Sequence, residues 1–150
     1  MTSPEGSNIV VGAVEGADVL GLFDVLDGFL THAGEAPLDE AAKERLGEAV
    51  AQGRIVFFAA RQADEVLGIC SLTVGFSTYR TSPIGLMEDF FVVPQARGRG
   101  VGRLLVERLL VEASQQGCGS VLIGCGADQI PMYEHFGFKR LGTMMAIDVD

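Results

Sequence analysis

The sequence contains no tryptophan, only two tyrosines and only three cysteines. An odd number of cysteines without metal-ligand spacing argues against a disulfide framework and favours a reducing cytoplasm. No apolar run reaches the roughly 18–20 residues that a membrane span requires, and no signal peptide of basic and then apolar residues follows Met1. The sequence therefore predicts a cytoplasmic protein without a transmembrane segment.

Basic residues are also scarce. The chain has 11 Lys and Arg against 20 Asp and Glu, which gives a formal net charge of −9. Nucleic acids and anionic membranes are bound by clustered cations, so this balance argues against both as partners. It suits a cationic small substrate, although the solubility that net charge confers explains it equally well. His32 and His135 stand alone among non-ligand neighbours, so no metal site is predicted.

The composition, 48% hydrophobic and 21% charged over 150 residues, is typical of one globular domain. We expect residues 8–149 to form that domain and residues 1–7, which are small and polar, to be disordered. Hydrophobic periodicity predicts the order β-α-α-β-β-β-α-β-α-β-β, a mixed sheet with helices on both faces. The last two strands are expected at residues 138–141 and 143–149.

Two further local expectations come from capping and from hydrophobic runs. Asp18 is a plausible N-cap for the first helix, and the second helix is predicted to begin at Asp39 and to stop at Gly53. Residues 84–93 read as one buried strand that contains two carboxylates, Glu88 and Asp89, and that ends before Pro94, which has no N–H for a ladder.

An amphipathic helix follows that strand directly, and a turn rich in glycine and arginine opens it. The first N–H groups of a helix lack intrahelical partners and lie at its positive end, so they bind anions. Glycines let the backbone close on a ligand, and guanidinium groups match phosphate oxygens. The turn lacks the endings typical of nucleoside-triphosphate and dinucleotide loops. The residues concerned are Arg97, Gly98, Arg99, Gly100, Gly102 and Arg103.

The motif Arg97-x-x-Gly100-x-Gly102, after a strand that ends in Val-x-Pro, closely resembles the acyl-coenzyme A loop of the GNAT superfamily of N-acetyltransferases. The string at residues 88–92, Glu-Asp-Phe-Phe-Val, is especially similar to the diamine (spermidine/spermine) N-acetyltransferases and their bacterial relatives. The resemblance covers about residues 8–149. It implies a single-domain α/β (α+β) fold with a mixed, mostly antiparallel sheet and central strands that splay around acetyl-CoA.

The resemblance also assigns the cofactor contacts. It implies that the backbone of Phe90, Phe91 and Val92 pairs with the pantetheine arm like an added strand, with an N–H near Val92 directed at the thioester carbonyl. Apart from the resemblance, Phe90 and Phe91 would simply be core residues. The pyrophosphate is implied to lie on the turn and the helix start, at Arg97, Gly98, Arg99, Gly100, Val101, Gly102 and Arg103.

Acetylation of an amine requires that the amine lose a proton, and Glu88 and Asp89 are the candidate bases. A buried carboxylate is costly unless it is paired or functional, and burial raises its pKa. Side chains alternate along a strand, so at most one of the two faces the acceptor. The resemblance implies that Glu88 is the base and acts through water, and that Asp89 has a structural role instead. Both carboxylates, with Tyr79 in the predicted loop 77–85, are candidate acceptor contacts.

The acid that protonates the departing thiolate is implied by a second match, Tyr133-x-x-x-Gly137-Phe138. A phenol with a pKa of about 10 is protonated at neutral pH and can donate. Without the resemblance, Tyr133 would read as a half-buried anchor for a short helix. Many relatives carry Asn seven residues before this tyrosine; here that position is Gly126, which leaves the cofactor contact there open.

Together these residues predict an acetyl-CoA-dependent N-acetyltransferase that acts on the primary amine of a small, cationic acceptor by direct transfer in a ternary complex. Polyamines, diamine-like amino acids and aminoglycosides are the favoured acceptors. The alternatives are an enzyme that acetylates protein or peptide amines and a non-catalytic acyl-CoA-binding regulatory module. Since dimers are common among similar proteins, a homodimer is one option for assembly.

Overall fold

A computed structural model describes residues 8–149 of the chain, so the predicted disorder of residues 1–7 lies outside the described part. The fold class is confirmed: within residues 8–149, four α-helices accompany one mixed, mostly antiparallel sheet. The helices are α1 (Asp18–His32), α2 (Glu40–Ala51), α3 (Val101–Gln115) and α4 (Ile130–His135). The strands are β1 (Ile9–Ala13), β2 (Val56–Gln62), β3 (Glu65–Ser77), β4 (Ser82–Leu86), β5 (Phe90–Val92) and β6 (Val121–Leu122).

The sheet has the order β1-β2-β3-β4-β6, with β5 also paired to β3. All pairings are antiparallel except that of β4 with β6. Two clusters of buried residues form the core, one under α3 and one under α1 and α2, so helices cover both faces as predicted. The amphipathic helix predicted after the strand is α3, whose apolar face is buried at Leu105, Val106, Leu109 and Ala113.

Of the two predicted N-caps, the one at α2 is confirmed and the one at α1 is wrong. Asp39 caps α2, because its carboxylate accepts a hydrogen bond from the Ala42 N–H at 2.7 Å. Asp18 does not cap α1: the N-cap position is Ala17, and Asp18 is the first helical residue. The Asp18 carboxylate instead pairs with Arg61 on β2 at 3.2 Å, which ties the start of α1 to the sheet.

The predicted strand at residues 84–93 is in fact two strands, β4 and β5, separated by a bulge. Thr73 of β3 faces Leu86, whereas Cys70 faces Phe90. Ser71 and Leu72 therefore oppose three residues, 87–89, and this extra residue is a β-bulge. The insertion bends the chain where β4 passes into β5.

The predicted splay of the central strands is present beyond this bulge. The last bond between β4 and β6 runs from the Met87 N–H to the Leu122 carbonyl, at 2.9 Å. After it, β5 stays paired with β3, while residues 123–125 continue without a strand partner in the described chain. An open cleft is left between residues 88–92 and residues 123–125.

The two predicted C-terminal strands are wrong for this structure, because residues 138–149 form neither helix nor strand. A strand requires a partner edge for its backbone groups, and no described strand forms a ladder with this segment. Ile147 is 90% exposed. In the described part of the chain, no helix is long and apolar enough to cross a lipid bilayer.

Candidate active site

The bulge at the mouth of the cleft is closed by Ser71 and Asp89. The Ser71 hydroxyl donates to the Asp89 carboxylate at 2.6 Å and accepts from the Asp89 N–H at 3.1 Å. The Ser71 N–H donates to the Asp89 carbonyl at 3.0 Å. Burial raises the pKa of Asp89, and the hydrogen bond from Ser71 opposes that rise. The Asp89 carboxylate is therefore occupied in fixing the bulge.

We expect Ser71→Ala to lower the free energy of unfolding by about 1–3 kcal/mol, because the half-buried carboxylate and the N–H of Asp89 both lose a partner. Ser71 is 1% exposed, so water does not replace the lost hydroxyl. Urea denaturation measures the loss. Ser114→Ala, on the exposed face of α3, is the matched control and should stay within about 0.5 kcal/mol of wild type. Equal stability of both variants would contradict a structural role for the Ser71–Asp89 pair.

The bulge also turns Glu88 away from the core, so the burial expected for it is wrong. Met87 is fully buried, Asp89 is half-buried and Glu88 is exposed. The sequence argument from desolvation therefore applies to Asp89 and not to Glu88. The exposed Glu88 carboxylate therefore lies at the start of the open cleft, next to Asp89.

The open edge of β5 presents backbone groups to the cleft. The Val93 N–H donates to the Leu67 carbonyl at 2.9 Å, and bonded pairs alternate along antiparallel strands. The Phe91 backbone therefore faces β3, whereas the backbone groups of Phe90 and Val92 face the cleft. The Val92 carbonyl accepts from Arg97 Nε at 3.1 Å. The Val92 N–H is left as the donor at that point of the edge.

The side chains of β5 lie on opposite faces of the sheet. The Phe90 ring packs against Tyr133 and Phe136, with ring centroids 5.8 Å and 5.7 Å away. The Phe91 ring packs on the α1 side, 5.7 Å from the Phe29 ring. Phe90 thus joins the strand to α4 across the end of the cleft.

The glycines of the turn have separate tasks. Gly98 and Gly100 both have φ near +80°, a conformation that side-chain-bearing residues rarely adopt. At Gly102 a Cβ would lie 3.0 Å from Phe90 Cζ and 3.1 Å from Phe136 Cζ, so any side chain here would press on these rings. The turn therefore brings the N-terminus of α3 against the end of β5.

The three arginines of the turn contact three different elements. Arg97 bonds the Val92 carbonyl, Arg99 bonds the side chain of Gln62 at 2.8 Å, and Arg103 bonds the His135 carbonyl at 3.4 Å. All three side chains are exposed. Three positive charges are therefore carried by residues 97–103, at the start of α3, on a chain whose net charge is −9.

Tyr133 lies on α4 and is 6% exposed. Its ring lies between Phe90 and Phe138, with centroids 5.8 Å away in each case. Burial raises the pKa of Tyr133 to about 12, and nearby Cys125 adds to the rise. The phenol is consequently protonated throughout the neutral range and can act only as a proton donor there.

Two other positions singled out in the sequence lie apart from this cluster. Tyr79 is fully exposed at the tip of the β3–β4 hairpin, which replaces most of the predicted loop, and its part in acceptor binding stays a prediction. At Gly126 a Cβ would lie 2.8 Å from Asp128 Oδ1, and the Gly126 N–H donates to the Gln129 side chain at 3.2 Å. Asp128 thus occupies the space that a side chain at 126 would need.

Sequence reasoning missed Ser71 and Gly68. A hydroxyl inside the apolar run Ile69-Cys70-Ser71-Leu72 was the available signal for the first. Gly68 lies in β3, where a Cβ would be 2.9 Å from the Phe91 carbonyl oxygen. A glycine inside a strand often marks such a close backbone approach.

Comparison with known proteins agrees with this geometry. The family profile described as "Acetyltransferase (GNAT) domain" matches residues 52–140. The probable glucosamine 6-phosphate N-acetyltransferase 2 of Oryza sativa subsp. japonica is 39% identical over 64 residues, which are 43% of this chain and 39% of that protein. The chain thus spans less than half the length of that relative.

Two solved structures share the fold. The crystal structure of a probable acetyltransferase has a TM-score of 0.83 at 17% identity, covering 94% of this chain and 99% of the other. The crystal structure of a predicted acetyltransferase with acetyl-CoA from Clostridium acetobutylicum has a TM-score of 0.79 at 16% identity, covering 93% of this chain and 96% of the other. With the family profile spanning residues 52–140, these matches lead to one conclusion: the chain belongs to the GNAT acetyltransferase family.

Proposed function

We propose that the protein transfers the acetyl group of acetyl-CoA to the primary amine of a small acceptor. The observation that carries this proposal is the open edge of β5, whose Val92 N–H faces the cleft and which leads directly to the turn at Gly98 and Gly100. Such an edge suits the amide-rich pantetheine arm, and the N-terminus of α3 suits a pyrophosphate. The missing side chain at Gly102 favours a close fit of the turn to β5.

Acetyl-CoA supplies an activated acetyl thioester, and the residues of the cleft would act on the charges that develop around it. The Val92 N–H would stabilise the oxyanion of the tetrahedral intermediate. As the amine nitrogen bonds to the acetyl carbon and the carbon–sulfur bond breaks, Tyr133 would donate its proton to the leaving sulfur. The amine proton would pass through water to Glu88.

The base is needed because an alkyl amine with a pKa of about 10.4 is mostly protonated near pH 7.4, at a cost of roughly 4 kcal/mol. Glu88 is exposed at the bulge, so water reaches it and the acceptor can approach. An exposed carboxylate also attracts a cationic acceptor, which agrees with the net charge of −9. We therefore place small cationic amines first among the acceptors.

A phosphorylated amino sugar is the second candidate. The observation that favours it is the similarity to glucosamine 6-phosphate N-acetyltransferases, although the matched stretch covers 43% of this chain. The first candidate carries positive charge away from the reacting amine, and the second carries a negative phosphate there. Measuring turnover on both acceptors side by side distinguishes them.

The experiment is the release of coenzyme A thiol from acetyl-CoA across a panel of amines. The panel comprises spermidine, short diamines, thialysine-like amino acids, aminoglycosides, glucosamine 6-phosphate, and Lys- or N-terminal peptides. Turnover on one class well above hydrolysis identifies the acceptor. Tight binding of acetyl-CoA without turnover on any amine would favour the non-catalytic binding module, and no binding of acetyl-CoA would overturn the proposal.

We expect Glu88→Gln to lower kcat/KM by about 10- to 100-fold near pH 7, because the acceptor then loses its proton without a base. The deficit should shrink as the pH rises towards the pKa of the amine, where the free amine forms unaided. A pH series of kcat/KM measures this. Glu65→Gln, which removes another exposed carboxylate at the start of β3, is the control. A deficit that is constant with pH would argue that Glu88 only attracts the acceptor.

A further inference from the structure

Cys125 is a free, exposed thiol on the wall of the cleft opposite β5. It ends the stretch 123–125, which has no strand partner within residues 8–149 and lies across the cleft from residues 88–92. Both of its neighbours in the chain, Gly124 and Gly126, lack a side chain that could cover the sulfur. A molecule that enters the cleft can therefore reach this thiol.

The Tyr133 hydroxyl is the second polar group at this point of the cleft. The side chain is 6% exposed, and the hydroxyl forms no hydrogen bond with any residue in the described part of the chain. Its oxygen is nevertheless not sealed from solvent. Leaving a polar group of a buried side chain without a partner is costly. The hydroxyl is therefore suited to bond an atom of a ligand in the cleft.

Cys125 and Tyr133 are neighbours. Burial raises the pKa of Tyr133 to about 12, and the nearby charge of Cys125 adds to the rise. In the proposed reaction the sulfur of coenzyme A leaves with the Tyr133 proton, so it must come within hydrogen-bond reach of that hydroxyl. The sulfur of a bound coenzyme A and the sulfur of Cys125 would thus share one neighbour, and the two sulfurs would lie side by side.

We propose that Cys125 forms a reversible mixed disulfide with coenzyme A when the disulfide of coenzyme A enters the donor site. The inference rests on the proposed function, because the coenzyme A moiety is held by β5 and the turn at residues 97–103. Such an adduct fills the site that acetyl-CoA requires. The protein is therefore switched off when coenzyme A is oxidised, and a thiol reductant restores it.

The step is a thiol–disulfide exchange. Cys125 loses its proton to water, and its thiolate attacks the nearer sulfur of the bound disulfide. A sulfur–sulfur bond forms between Cys125 and one coenzyme A, the original sulfur–sulfur bond breaks, and the second coenzyme A leaves as a thiolate. Cys125 is oxidised and the departing coenzyme A is reduced, so no further oxidant is needed.

The other two cysteines are not placed for this reaction. Burial raises the pKa of Cys70 to about 12, which keeps it in the unreactive thiol form. Cys118 follows the C-terminus of α3, whereas the turn that would hold coenzyme A opens its N-terminus. Because α3 has 15 residues, these two ends are about 22 Å apart. We therefore expect the adduct on Cys125 alone.

The experiment exposes the protein, freed of reductant, to the disulfide of coenzyme A and follows the intact mass. We expect one coenzyme A moiety per chain, located on Cys125 by peptide mapping and removed by dithiothreitol. The reaction should be about 10-fold or more faster than with glutathione disulfide, which lacks the nucleotide that positions the reagent. Excess acetyl-CoA should slow it. Cys125→Ser should stay unmodified, and Cys118→Ser, the matched control, should react as wild type does.

Calorimetric titration with acetyl-CoA separates this inference from the proposed function. The modified protein should not bind acetyl-CoA, and reduction should restore binding. If the unmodified protein binds acetyl-CoA but Cys125 reacts no faster with the disulfide of coenzyme A than with glutathione disulfide, the inference is overturned and the proposed function stands. The same holds if the adduct forms on Cys118 or leaves acetyl-CoA binding unchanged. If the unmodified protein does not bind acetyl-CoA, both are overturned.

Discussion

Tyr133→Phe is expected to lower kcat for acetyl transfer by about 100- to 1,000-fold, the lower part of the range that a positioned general acid contributes. The substitution removes only the hydroxyl, so the ring contacts with Phe90 and Phe138 are kept. We therefore expect the KM for acetyl-CoA and the melting temperature to change little. The loss should lie in kcat, because the proton is required only as the thiolate departs.

Steady-state kinetics at saturating acetyl-CoA, together with calorimetric binding of acetyl-CoA, separate these effects. Since burial raises the pKa of Tyr133 to about 12, the wild-type phenol keeps its proton below about pH 10. The wild-type profile should thus show no falling limb from this group between pH 7 and 10. An unchanged kcat in Tyr133→Phe would show that Tyr133 is only a packing residue. It would also favour the non-catalytic acyl-CoA-binding module.

Gly68→Ala is expected to lower the free energy of unfolding by about 3 kcal/mol, at the upper end of the usual cost of overpacking. An added Cβ would lie 2.9 Å from the Phe91 carbonyl oxygen, 3.1 Å from Leu105 Cδ1 and 3.2 Å from Val101 Cγ1. The first contact is with backbone, so relief requires that β5 move away from β3. The same movement should weaken acetyl-CoA binding, because β5 forms the proposed contact edge.

Gly75→Ala is the matched control, since Gly75 lies on the same strand and nothing is within 4 Å of its Cβ position. Urea denaturation should show a small change for Gly75→Ala and a large loss for Gly68→Ala. Titration with acetyl-CoA should show weaker binding for Gly68→Ala alone. If the two variants unfold at the same urea concentration, β5 is not held as tightly against β3 as described.

Much of this architecture could be predicted because its causes are local in the chain. The stripe of α3 repeats with the period of a helix, Asp39 lies at the correct position to cap α2, and Gly98 and Gly100 are where the chain needs positive φ. Each of these signals acts over a few residues. The splayed strands came from the resemblance to a known family and not from periodicity.

The bulge could not be predicted, because it depends on a contact between residues far apart in sequence. Nothing in residues 84–93 shows that Ser71 will close a bulge on Asp89. The C-terminal tail shows the reverse case. Its sequence pattern is that of a strand, but a strand also needs a partner, and within residues 8–149 the tail forms no ladder with any strand.

β3 pairs with both β4 and β5 and so limits how the cleft can open. Both strands are bonded along one continuous strand of 13 residues, so the two cannot swing apart to admit a ligand. The opposite wall is attached to β4 only through short pairing around Val121 and Leu122. We therefore expect that second wall to move when the cleft opens and closes. In the proposed reaction, the entry of the donor and the release of coenzyme A would then depend on its displacement.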